Sequence, residues 1–182
     1  MDTIQMIYLP AGILLFLIIY LFSKKGNTKN KNKNKKGDIN AHMFPNAPDK
    51  IKQWIPYAIE ASKLYSIPLE IILGQIWTES GGNAFAVGAS GEIGLMQLKP
   101  IAVKDIEQNG YNSYSSWKKN PKDNIMAGVA FLHLQRKRCR GNINCALRSY
   151  NQGYKGAKIN KKLAKEYEDK VLNRASFFWG NN

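Results

Sequence analysis

Residues 76–100 read IWTESGGNAFAVGASGEIGLMQLKP and hold two carboxylates, Glu79 and Glu92, with an amide, Gln97, soon after the second. Paired carboxylates around a glycosidic bond are what ordinary retaining and inverting glycosidases use, one as acid and one as nucleophile or base. A single carboxyl held against apolar surface does something different. Burial disfavours its charge, raises its pKa and lets it donate a proton near neutral pH. Glu79 closes an apolar run and precedes two glycines, so it fits that second description. In the plainer reading it is a helix-end glutamate facing water. Gln97 offers both a donor and an acceptor, between Met96 and Leu98, which read as core. Later, SYNQG puts a phenol and an amide, Tyr150 and Asn151, ahead of another glycine. Phenols and amides in a cleft suit a neutral ligand rich in hydroxyl and amide groups, such as a sugar chain with N-acetyl substituents. Tyr167 falls in a last apolar-periodic run, as core or as cleft wall.

The elements that must carry these side chains are helical almost throughout. Ile51, Trp54, Ile55, Ala58, Ile59 and Ala61 recur at helical spacing up to Leu64, with Pro48 and Asp49 in the first turn. A second helix begins at Pro68 and is apolar on nearly all sides through Trp77, the mark of a buried helix, before Gly81 and Gly82 end it. Residues 81–94 are glycine-rich and lack a period, so they read as a mobile loop with short extended pieces. GLMQLKP is an apolar turn stopped by Pro100, and IAVKDIEQNG a short helix. A long helix runs from Pro121 towards Gly141, a short one through NINCALRSYNQG, and a last one from about Asn160 to Trp179. That last helix carries Leu163, Tyr167, Val171 and Leu172 on one face. The fold class is therefore mainly α, a domain over 42–182 of about 140 residues, large enough for its own core.

The first 41 residues differ in kind. No charged side chain occurs from Thr3 to Ser23, and about 20 apolar residues suffice to cross a bilayer. Pro10 and Gly12 fall in the first turns, where a spanning helix tolerates them. A signal peptide would need a basic start and a small-residue cleavage site, and neither is present. Residues 1–23 thus read as a transmembrane anchor meeting the lipid bilayer through residues 3–23. Residues 24–41 read as a Lys/Asn-rich solvated linker. Its seven lysines sit on the flank that marks the cytoplasmic side of a span.

Past the linker, residues 38–182 keep an excess of eight basic over acidic side chains. That suits an anionic partner: nucleic acid, lipid headgroups or an acidic wall polymer. No recognition motif narrows it to nucleic acid. Cys139 and Cys145 match no common zinc spacing, and His133 reads as a helix residue at the core edge. The two cysteines are either a local disulfide or two buried thiols. No metal and no cofactor is expected.

Taken in order, ESGGN, GEIGLMQL, YNQG and Tyr167 resemble the catalytic domain of the soluble lytic transglycosylase family, relatives of goose-type lysozyme. The resemblance covers roughly residues 50–175. NPKDNIMAGVAFLHL is also similar to that family's helix between the second and third motifs. It implies a lysozyme-like fold and cleavage of the β-1,4 bond between N-acetylmuramic acid and N-acetylglucosamine in peptidoglycan glycan strands, leaving a 1,6-anhydro end. By motif position Glu79 would be the acid/base, and Ser80 would position it or the muramyl group. Met96 and Gln97 would line the sugar subsites, with Tyr150 and Asn151 opposite. Tyr167 would contact the glutamate, although Glu168 stands where the family has an apolar residue. Glu92 falls at a variable position and takes no role. Two other readings stay open: hydrolysis by the same site, and a non-catalytic wall- or nucleic-acid-binding module. A wall-cutting domain must face the wall, which the flanking lysines oppose. An exported envelope enzyme, a bacteriophage protein carried on a virion membrane and a secretion accessory would each resolve the conflict.

Overall fold

The computed structural model of the chain describes residues 43–179. The anchor expected over 1–23, its bilayer contact and the linker over 24–41 lie outside the described residues. Among the described residues no helix is long and apolar enough to cross a membrane.

Among the described residues seven helices follow one another: α1 Asp49–Lys52, α2 Ile55–Tyr65, α3 Leu69–Ser80, α4 Pro100–Gln108, α5 Pro121–Arg138, α6 Ile143–Ile159 and α7 Lys161–Phe177. Helix α3 runs through the centre, with Ile71 to Ile76 buried in an unbroken row. It packs against α7 and α2, while α5 packs against α2, α4 and α6. The mainly helical expectation holds, and several details change. The helix expected from Ile51 to Leu64 is two helices, broken at Gln53 and Trp54. Pro56 in the first turn of α2 accounts for this, because its ring conflicts with the carbonyl four residues back. Pro100 opens α4 rather than stopping the segment before it, since a first helical position needs no N–H donor. Gly153 kinks α6 without ending it. Leu163 is exposed, and Ala164 and Glu168 join Tyr167 and Val171 on the buried face of α7. Cys139 and Cys145 form a disulfide.

The glycine-rich segment after α3 is not a free loop. Gly94 N–H donates to Ala86 O at 2.8 Å, Gly88 N–H to Glu92 O at 2.8 Å, and Ile93 and Leu98 exchange bonds at 3.0 Å. These form two isolated antiparallel bridges, Val87 with Ile93 and Ile93 with Leu98. Helices α3 and α7 approach so closely that a β-carbon on Gly74 would lie 2.7 Å from Val171 O and 3.2 Å from Ala175 N. Both obstacles are backbone and cannot rotate away. Gly74→Ala should therefore cost about 1–3 kcal/mol of stability, the range for overpacking a close contact. Urea unfolding checks this, and an unchanged midpoint would mean the helices spread freely.

Candidate active site

Helix α3 delivers Glu79 to its C-terminal turn, where Gly81 in the left-handed region ends the helix and its N–H bonds Trp77 O at 3.1 Å. The close α3–α7 packing brings Tyr167 opposite. Its hydroxyl donates to Glu79 Oε1 at 2.5 Å and accepts from Gln75 Nε2 at 3.1 Å. Gln75 is fully buried one turn before Glu79, so an amide, a phenol and a carboxyl form one chain. Burial raises the Glu79 pKa from its ordinary 4.5 to about 7. The Tyr167 bond opposes that rise, and the negative charge of Glu92 adds to it. Burial also pushes the Tyr150 and Tyr167 phenols up, with the Glu79 charge adding in each case.

Glu79 opens into a cleft of about 340 Å3 walled by Glu92, Gln97, Lys99, Phe131, Tyr150, Asn151 and Gly153. Of the residues expected at a site, four meet here: Glu79, Gln97, Tyr150 and Asn151. Tyr167 stands behind Glu79, its ring parallel to Tyr150 with centroids 6.5 Å apart. Tyr150 OH donates to Met96 O at 2.8 Å. Met96 itself is fully buried, and its side chain fills the space a β-carbon on Gly128 would need. Ser80 Oγ donates towards Ile76 O at 3.1 Å and Leu95 O at 3.0 Å, and accepts from Gly82 N–H. It joins the end of α3 to the GLMQL turn. Gln97 sits at φ 44 and turns its amide onto Ala86 O and Gly94 O, at 3.2 and 2.9 Å.

Asn124 and Gln75 have a clear part in this arrangement and were not singled out in the sequence. Asn124 of α5 is buried, accepts from Met96 N–H at 2.9 Å and donates to Ile93 O and Trp117 O at 3.0 Å each. It pins the GLMQL turn to α5. Its signal, as for Gln75, was an amide inside an apolar helical face. Glu92, read as having no role, shares the cleft with Glu79. It is ionised there: Lys99 Nζ lies 2.9 Å from Oε1, Ser90 N–H donates to Oε2 at 3.0 Å, and these contacts hold its pKa below the usual range.

Residues 56–173 match the family described as the transglycosylase SLT domain. The chain belongs to that family. Among curated relatives it is 32% identical over 130 residues to a transglycosylase of Enterobacteria phage PRD1, covering 71% of this chain and 46% of the relative. It is 34% identical over 110 residues to an endo-type membrane-bound lytic murein transglycosylase A of Klebsiella pneumoniae subsp. pneumoniae, covering 54% of each. The chain thus spans about half the length of these relatives. Among solved structures, lytic transglycosylase Slt of Pseudomonas aeruginosa, an inactive glutamate-to-glutamine mutant, shares the fold at a TM-score of 0.59 and 20% identity. That match covers 68% of this chain and 23% of the other. The lysozyme-like, lytic-transglycosylase fold expected from the motifs is the one observed.

Two substitutions in this SLT domain should move the Glu79 titration in opposite directions. Tyr167→Phe removes the bond that favours the carboxylate, so the pKa rises. Glu92→Gln removes a negative charge and frees the Lys99 ammonium, so it falls. Side-chain carboxyl NMR titration reads both. The raised pKa also has a stability sign. Between pH 4.5 and about 7 the folded chain binds more protons at Glu79 than the unfolded chain, so stability falls as pH rises through that window. Glu79→Gln should be more stable than the parent above pH 7 by up to about 3 kcal/mol. The difference should vanish below pH 4.5, and chemical denaturation across the range checks it.

Proposed function

We propose that the domain is a peptidoglycan lytic transglycosylase. It would cleave the β-1,4 bond between N-acetylmuramic acid and N-acetylglucosamine with Glu79 as the one acid/base. The observation that carries this is a carboxyl that opens on the cleft, accepts a hydrogen bond from the buried Tyr167 phenol at 2.5 Å and has its pKa raised by burial to about 7. In the first step Glu79 gives its proton to the glycosidic oxygen, the C1–O bond breaks, and N-acetylglucosamine leaves with a free 4-hydroxyl. The muramic C6 hydroxyl then attacks C1 and its proton passes to the ionised Glu79, closing the 1,6-anhydro ring. The N-acetyl carbonyl would stabilise C1 meanwhile, and Asn151, which lines the cleft, would hold that acetamido group. Gln97 and Tyr150 line the sugar path. Met96 contributes through its backbone and Ser80 by fixing the end of α3.

Hydrolysis is the second reading, and Glu92 is what favours it, because a second ionised carboxylate in the cleft could activate water. Both of its oxygens are already engaged, by Lys99 and by Ser90 N–H, which weakens it as a base and favours transfer. We further propose that residues 1–23 anchor the chain and that the domain works against the wall from a bacterial envelope or a virion membrane. The uncharged, largely apolar run from Thr3 to Ser23 supports this, as do the names of the phage and membrane-bound relatives.

Glu79→Gln should lower kcat on purified sacculi by about 10²–10⁴-fold, the usual contribution of a positioned acid. Cleavage should fade as pH rises through about 7, where Glu79 loses its proton. Mass spectrometry of the products should find anhydro ends. Reducing ends in their place would mean water is the acceptor, and an active Glu79→Gln chain would remove Glu79 from the chemistry.

A further inference from the structure

A second and larger concavity, about 560 Å3, is lined by α6 on both sides of an elbow and by the start of α7. Gly153 makes the elbow. It takes φ 72, ψ 157, a conformation essentially confined to glycine, and so splits α6 into two limbs. Arg148 comes from the first limb, Lys158 from the second, and Lys161, Lys162 and Lys165 from the start of α7. Two of its cations are tied to a buried carboxylate: Glu168, only 2% exposed, pairs with Arg148 at 3.4 Å and Lys165 at 3.7 Å. This is the same glutamate that replaces an apolar residue in the Tyr167 motif, and its position gives that departure a purpose. Lys165 also bonds Asp169. Of the five cations, Arg148 and Lys165 share two carboxylates, and Lys158, Lys161 and Lys162 have no carboxylate partner among the described residues.

The concavity and the catalytic cleft are lined by consecutive residues of α6. Ser149 and Tyr154 line the concavity, while their chain neighbours Tyr150 and Gly153 line the cleft. A ligand filling both would be neutral and amide-rich in one part and anionic in the other. Its volume matches a small-ligand site, not a surface for a flat polymer. The one aromatic face in it, Tyr154, is already covered by Lys158 Nζ at 4.6 Å from the ring centroid, so it offers no platform for stacking a base. Ala157 and the lysine stems supply apolar wall for methyl-bearing residues.

We propose that this basic concavity holds the carboxylate-bearing peptide stems carried by muramic acid while the glycan occupies the cleft, making the enzyme selective for stem-bearing strands. The inference rests on the wall-cutting function proposed above. Cleavage by the full chain is compared on glycan strands with stems intact and on strands stripped by an amidase. The parent should show a KM lower by about fivefold to tenfold on stem-bearing strands, the scale of a few exposed charge pairs. The advantage should shrink as salt rises. The triple variant K158Q/K161Q/K162Q should lose the advantage yet cleave stripped strands like the parent. Equal KM values for the parent on both strands, or a variant that keeps the preference, would overturn the proposal. Cleavage of neither strand would sink the catalytic reading instead. Binding of a free stem tripeptide, followed by shifts of the Lys158, Lys161 and Lys162 signals, tests the concavity even then. Tighter binding of polyphosphate or anionic vesicles than of the tripeptide would assign it to another anion.

Discussion

The hydrogen bond from Tyr167 to Glu79 requires two helices far apart in sequence to meet at a fixed height and rotation. Gly74 is what permits it: α3 and α7 approach until backbone touches where a side chain would stand. That contact sets the phenol 2.5 Å from the carboxyl. It also buries Glu79 deeply enough for its proton to survive near neutral pH. The phenol and the burial act in opposite directions on that proton, and burial wins. A partly desolvated carboxyl with one strong donor is an acid that can also accept a proton back.

The second constraint is the turn that carries GLMQL. Glycine-rich chain would wander if nothing held it, and three polar groups do: Asn124 from α5, Ser80 from the end of α3, and Tyr150 from α6. Each satisfies a backbone group that burial would otherwise leave unpaired. The wall of the cleft is thus assembled from main chain fixed by buried side chains. Met96 and Ser80 serve the site from behind this wall, as packing and as anchor. Family motifs mark residues that build a cleft as well as those that line it.

Much of this was legible in the sequence. The apolar row of α3, its glycine stop and the order of the motifs located Glu79 and the mainly helical fold, because helix periodicity and termination are local. The break before α2 was less visible, since one proline shifted a boundary within a continuous apolar pattern. Leu163 misled for the same reason. Its spacing fits the buried face, yet in the fold it is exposed while Ala164 beside it is buried. Asn124 and Gln75 looked like minor interruptions of apolar faces until their partners, contributed by other elements, were in view.

The sequence by itself determined the helices, the candidate acid and the family, all of which follow from short-range pattern and motif order. Only the tertiary structure decided how Glu92 stands to Glu79. Along the chain they are two carboxylates separated by a glycine loop. In the fold they share a cleft, one protonated by burial and the other ionised by Lys99. That difference arises from solvent access and from a lysine brought close by the turn. Neither is a property of the carboxylates, so no reading of the chain one residue at a time could supply it.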